Sequence, residues 1–187
     1  IALDAEYTDV YLNRGAAYAN LGQYEQAVPD YDRAIALDPQ KALAYNNRGN
    51  AHRNLGEHEQ AIADYNQAIA LDPEYAEAYS NRGIVYVNLK EYKRAIADYD
   101  HAIELNPEMA STYFRRGYVY GAMKQHEQAI ADYDRAIELD PELVSAYNNR
   151  GAAYANLEAY DQAIADYSRA IELDPEMILA LNNRGLA

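Results

Sequence analysis

The chain has 187 residues, with 16 Lys+Arg against 30 Asp+Glu and a formal net charge of −14. It contains no Cys, which excludes disulfide frameworks, thiolate metal sites and cysteine nucleophiles. The acidic balance argues against a nucleic-acid partner, which needs a basic face, and no apolar run approaches the roughly 20 residues that span a bilayer.

In chain order, residues 1–7 (IALDAEY) match the end of a repeat, as in IALDPEY at 69–75. The first full repeat covers 8–41. Its Tyr11, Gly15, Tyr18 and Leu21 fall at spacings of four and three, one face of a helix. A break follows at Leu21-Gly22-Gln23, and Ala27, Val28, Tyr31, Ala34, Ile35 and Leu37 then mark a second apolar stripe. Asp38-Pro39 stops that helix. Asp also suits an N-cap and Pro the first helical position, so the pair is expected to start the next helix.

The same pattern returns over 42–75, 76–109, 110–143 and 144–177. Proline recurs every 34 residues at 39, 73, 107, 141 and 175, and only Pro29 stands outside the series. Glycine keeps the same period at 15, 49, 83, 117, 151 and 185. Glycine and alanine at fixed places predict close helix approach. Residues 178–187 match the start of a further repeat, so the sequence reads as a fragment of a longer array. A single helix pair cannot bury its own apolar face, so the expected fold is all-α, with pairs stacked as a solenoid. Signal-peptide features are not found at the start of the chain. A cytoplasmic setting is favoured.

The period, with Tyr11, Gly15, Tyr18, Ala27, Tyr31, Ala34 and Pro39 and their counterparts, resembles the tetratricopeptide repeat (TPR). Two departures stand out. Arg14, Arg48, Arg82, Arg116, Arg150 and Arg184 occupy the place where the family usually has Leu, and His52 replaces the counterpart of Tyr18. The resemblance implies a right-handed superhelix of antiparallel helix pairs. Its concave groove, lined by the first helix of each pair, would bind a peptide or partner protein.

Carried over residue by residue, the groove positions of the fourth repeat are Ser111, Phe114, Arg115, Tyr118, Gly121 and Ala122. Those of the fifth are Ser145, Asn148, Asn149, Ala152, Ala155 and Asn156. Asn13, Asn47, Asn81, Asn149 and Asn183 share one repeat position, broken only by Arg115. Asn is a mediocre helix former, and its amide matches the donor and acceptor of a peptide backbone. The row resembles the asparagine ladder in the superhelix of O-linked N-acetylglucosamine transferases. The alternatives are hydrogen bonds between neighbouring helices, or inheritance by duplication.

In the fourth repeat, Phe114, Arg115 and Tyr118 stand where most other repeats have Asn, Ser or small residues, and aromatic and Arg side chains dominate interface hot spots. Phe114 could equally pack against a neighbouring helix. A carboxylate clamp of the family's kind finds matches in Asn50, Asn81 and Arg115. Asn46 and Ser111, however, stand where two Lys would be expected. The pairs Arg14/Asp30, Arg48/Asp64, Arg82/Asp98, Arg116/Asp132 and Arg150/Asp166 keep one spacing and predict a structural ladder of ion pairs. Replacing Arg82 by Leu is expected to be tolerated better than removing Asp98.

The four His are scattered, with no HExxH pair, phosphate loop or nucleophile elbow. The chain is therefore expected not to be an enzyme and to need no cofactor or metal. The expected function is a protein-interaction scaffold holding an extended peptide. Its expected groove residues are Asn13, Asn47, Asn50, Asn81, Phe114, Arg115, Tyr118 and Asn149. Two other readings are a substrate-recruiting arm of a larger enzyme, such as a glycosyltransferase, and an array that self-associates end to end through Ile1, Leu3, Ile178, Leu179, Leu181 and Leu186.

Overall fold

A computed structural model describes the backbone of residues 2–176 and the side chains of residues 7–176. The further repeat start at 178–187 and the residues expected to join chain ends lie outside that range, as do Asn183 and Arg184. Among the described residues there are only helices, turns and short connections. The chain divides into two compact units, one through Glu91 and one from Tyr92.

The first unit holds α1 (Ala2–Asn20), α2 (Tyr24–Leu37), α3 (Ala42–Asn54), α4 (His58–Leu71) and α5 (Ala76–Asn88). The second holds α6 (Tyr92–Leu105), α7 (Ala110–Ala122), α8 (His126–Leu139), α9 (Val144–Asn156) and α10 (Tyr160–Leu173). Antiparallel pairs α1/α2 and α3/α4, then α7/α8 and α9/α10, stack within their units, the all-α arrangement of a solenoid. The helix α1 runs without a break across residues 5–7. Ala5 stands there in place of the repeat's Pro and leaves the backbone N–H available to the helix.

Each pair turns at the predicted break. The first helix ends in a Schellman geometry: Gln23 N–H donates to the Tyr18 carbonyl and Glu57 N–H to that of His52, both at 2.9 Å. This turn needs a left-handed residue, which Gly22 (φ 74) and Gly56 (φ 78) supply freely. Lys90, Lys124 and Glu158 adopt the same conformation at φ 59, 60 and 59 despite their side chains.

The junction between repeats corrects one expectation. Asp38, Asp72, Asp140 and Asp174 do not cap the following helix; they are the C-caps of the preceding one. Asp38 Oδ1 accepts the Gln40 N–H at 3.0 Å, and Asp72, Asn106, Asp140 and Asp174 accept the N–H two residues on in the same way. The side chain thus spans the proline as an Asx turn. The next helix begins at Ala42, Ala76, Ala110 or Val144.

The core is built from the recurring Ala and Tyr. Leu12, Ala27, Tyr31 and Ala34 of the first pair join Ala44 and Ala51 of α3, so one pair's core continues into the next. Ala129, Tyr133 and Ala136 join Ala146 of α9 in the same manner. Glycine brings the helices together: a Cβ on Gly15, Gly49, Gly117 or Gly151 would lie 2.7, 2.9, 2.9 or 2.8 Å from a Tyr ring atom. Those rings belong to Tyr31, Tyr65, Tyr133 and Tyr167, which lie buried on the second helices.

Candidate peptide-binding surface

The Arg–Asp ladder is the electrostatic frame of each unit. Arg48 grips Asp64 bidentately, through Nε at 2.9 Å and Nη2 at 2.6 Å, and Arg14, Arg116 and Arg150 hold Asp30, Asp132 and Asp166 likewise. The spacing did not reveal a second contact. Nη1 of Arg48, Arg116 and Arg150 also reaches Asp32, Asp100 and Asp134 of the preceding repeat, at 2.5, 2.6 and 2.6 Å. In the third repeat the corresponding partner of Arg82 is Asn66 Oδ1, at 2.6 Å. Each of these Arg also lies over a Tyr three residues earlier, as Arg48 does over Tyr45 at 5.6 Å. The paired carboxylates hold the guanidinium pKa values of Arg48, Arg116 and Arg150 above the usual range, chiefly through the hydrogen bonds. These Arg tie repeat to repeat and are structural.

His52 fits the same frame. Its Nδ1 lies 2.5 Å from Glu57 Oε2 and its Nε2 3.7 Å from the buried Asp64. The ring fills the place of a repeat Tyr while offering nitrogen atoms to two carboxylates.

The asparagines divide. Asn13 is exposed on α1, and Asn47 is half-buried. Asn81 donates to Asn46 Oδ1 at 3.1 Å, and the buried Asn46 lies 3.5 Å from Asn47 Oδ1. Asn46 therefore sits inside the packing, where a clamp would need a solvent-facing Lys. Asn50 Oδ1 accepts the Tyr65 hydroxyl at 2.8 Å. Asn149 Oδ1 accepts from Asn148 at 3.2 Å. Asn50 and Asn81 thus bond neighbouring helices, whereas the partner of Asn149 is its own neighbour on α9.

The fourth repeat is different. Phe114 is half-buried and packs on the core, its ring centroid 5.9 Å from that of Tyr133. Arg115 turns along its own helix, with Nη1 3.3 Å from Ser111 Oγ. Tyr118 stands at the repeat position of Asn50 and is 52% exposed. With no amide at that position, Tyr133 and Asn149 of the following repeat both line the space beside it. Burial raises the Tyr133 pKa above the ordinary phenol value.

Between α7 and α9 this leaves an open hollow of about 250 Å³. Tyr118, Gly121, Ala122 and His126 line it from one repeat, with the Tyr133 ring, and Asn149, Ala152, Ala153 and Asn156 from the next. No Asp, Glu, Lys or Arg lines it. Nδ1 of His126 is buried without a hydrogen-bond partner, but so is Nδ1 of His58 at the same repeat position. That feature accordingly belongs to a His at this helix start and not to the hollow.

The structure therefore brings Phe114, Tyr118 and Asn149 together around Tyr133 and leaves Arg115 outside the lining. Sequence reasoning missed Tyr133 and His126. A usable signal was the loss of side-chain volume in one repeat. Gly121 replaces Ala19, Arg53, Val87 or Ala155, and Ala122 replaces Asn20, Asn54, Asn88 or Asn156. Among the described residues, no group of three or more His, Asp and Glu could hold a metal, and no helix is long and apolar enough to cross a membrane.

Comparison with known proteins agrees with this architecture. Solved structures of the same fold include MamA, with TM-score 0.77 and 28% identity over 91% of this chain and 93% of that one. YrrB, described as a TPR protein with an unusual peptide-binding site, has TM-score 0.76 and 26% identity over 94% and 90%. For pilF of Pseudomonas aeruginosa the values are 0.89 and 23% over 96% and 82%, a likeness of fold alone. Curated proteins give no sequence match. The tetratricopeptide-repeat profile matches residues 8–41, 76–109, 110–143 and 144–177, and related profiles of the same repeat match 30–63 and 49–90. The chain belongs to the tetratricopeptide-repeat family and has the fold of its protein-interaction scaffolds.

Proposed function

We propose that the chain is a protein-interaction module that binds an extended segment of a partner protein on the face formed by α7 and α9. The observation that carries this reading is the hollow between those helices, with an exposed Tyr118 at its edge and amides of Asn149 and Asn156 on its lining. Concave, mostly apolar sites with a few convergent polar groups are the usual form of a binding site. YrrB, a structure of this fold at 26% identity, is described as having a peptide-binding site, which supports the class of ligand. Asn50, Asn81, Asn149 and Asn156 all take part in internal hydrogen bonds, so the reading centres on the exposed Tyr118 and the hollow beside it and not on the asparagine row.

The test is to select peptides from a random library against the whole chain and titrate them against variants. Tyr118→Ala is expected to weaken a selected peptide by about 30-fold, the loss of roughly 2 kcal/mol typical of an aromatic hot spot. Asn81→Ala is expected to change affinity less than about threefold. Unchanged affinity in Tyr118→Ala together with a large loss in Asn81→Ala would move the binding surface away from α7 and α9.

A further inference from the structure

Gly121 is a glycine that the fold does not require. Gly117, one turn earlier, is held against the Tyr133 ring, and Gly22 and Gly56 supply positive φ. Gly121 does neither: it is helical, and a Cβ there would meet only the Tyr133 hydroxyl, at 3.9 Å. A glycine inside a helix costs stability relative to alanine. Its neighbour Ala122 replaces an Asn found at that repeat position in α1, α3, α5 and α9. What the two small residues leave is the volume of the hollow.

We infer that this hollow receives one neutral aromatic side chain from the bound segment. The inference rests on the peptide-binding reading and names the group that anchors it. The size agrees: a cavity of about 150 Å³ accommodates benzene, and the hollow offers about 250 Å³. The walls agree too. The rings of Tyr118 and Tyr133 offer faces and edges for offset or edge-to-face contact, and Ala152 and Ala153 form an apolar part of the lining.

Charge narrows the class further. An anionic side chain would approach a chain of net charge −14 and find no Arg or Lys in the lining. A cationic one would find no carboxylate there to replace its lost hydration. Besides the His126 imidazole, the polar groups present are the Asn149 and Asn156 amides and the Tyr118 hydroxyl, which suit the backbone that carries the anchor.

The experiment titrates the whole chain with N-acetyl-phenylalanine amide and follows backbone amide resonances by NMR. N-acetyl amides of leucine, glutamate and lysine serve as comparisons. The phenylalanine amide is expected to shift resonances of residues 118–122 and 149–156, and to bind at least about tenfold more tightly than the other three. Gly121→Val fills the hollow with the residue that α5 carries as Val87, and is expected to reduce binding by about tenfold or more while keeping the fold. Ala122→Asn, the residue of the other first helices, is expected to act in the same direction.

A phenylalanine amide that shifts no resonance at 118–122 or 149–156 overturns the inference, as does full binding by both filled variants. Equal affinity for the leucine amide overturns the aromatic assignment. Library-selected peptides that lose affinity in Tyr118→Ala but bind both filled variants unchanged would leave the peptide-binding reading standing while removing this one.

Discussion

Gly117 on α7 lies directly against the ring of Tyr133 on α8: a Cβ on Gly117 would come 2.9 Å from Cε1 and 3.2 Å from the Ala129 carbonyl oxygen. One turn on, a Cβ on Gly121 would have open space around it up to the Tyr133 hydroxyl. Identical residues on one helix thus carry opposite consequences. Gly117→Ala is expected to lower stability by about 1–3 kcal/mol through overpacking against a buried ring. Gly121→Ala should raise stability by about 0.5–1 kcal/mol by restoring helix propensity. Urea unfolding followed by circular dichroism measures both, and the two midpoints should move in opposite directions.

The depth of the carboxylates bears on which partner of the Arg48/Asp64 pair is costlier to remove. The Asp64 side chain is 7% exposed while that of Arg48 is 22% exposed and also reaches Asp32. Arg48→Leu therefore leaves the more deeply buried group with only the His52 ring nitrogen, 3.7 Å away, at a cost of about 3 kcal/mol. Asp64→Leu leaves Arg48 with Asp32 and should cost about 1–2 kcal/mol. Arg48→Leu with Asp64→Leu should recover much of the loss. A double-mutant cycle reads these values, and a smaller loss for Arg48→Leu than for Asp64→Leu would contradict the geometry.

Pro29 lies inside α2, where the other repeats have Ala63, Ala97, Ala131 and Ala165. It has no N–H to donate to the Glu25 carbonyl and crowds the preceding turn. Pro29→Ala is expected to stabilise the first pair by about 1–3 kcal/mol. Hydrogen exchange should slow across residues 24–37 and change little in the second unit.

Alkaline unfolding should follow the buried phenols. Burial pushes the Tyr31 pKa up to about 12, and the pKa values of Tyr65, Tyr133 and Tyr167 also rise above the ordinary value for the same chief cause. A folded-state pKa above the unfolded one gives stability that is complete below about pH 10 and falls as pH rises through the folded value. Phenolate absorbance should therefore rise in two phases, the later one coinciding with loss of helical signal. A single phase complete before any helix is lost would contradict the burial of these rings.

Much of the fold was legible because the chain states it five times. The 34-residue period, the two apolar stripes and the Arg/Asp spacing identify helix pairs and the pairs Arg14/Asp30, Arg48/Asp64, Arg116/Asp132 and Arg150/Asp166. Each of these joins residues 16 apart within one hairpin, so hairpin geometry alone sets the contact. The Asp-Pro junction was misread at one point, because the same Asp serves equally as a C-cap and an Asx turn before Pro.

The sequence by itself determined the repeat, the helices and the identity of the packed residues, since these depend on local spacing and recur with it. Only the tertiary structure decided which way the fourth repeat's side chains turn. Phe114 goes inward to Tyr133, Arg115 lies along its own helix, and Tyr118 points out beside a hollow. That hollow is bounded by residues from two repeats and exists because Gly121 and Ala122 leave space that neither neighbour fills. Comparing repeats marks the lost side-chain volume at 121 and 122, but what borders that volume is set by the facing helix, which one repeat read alone does not contain.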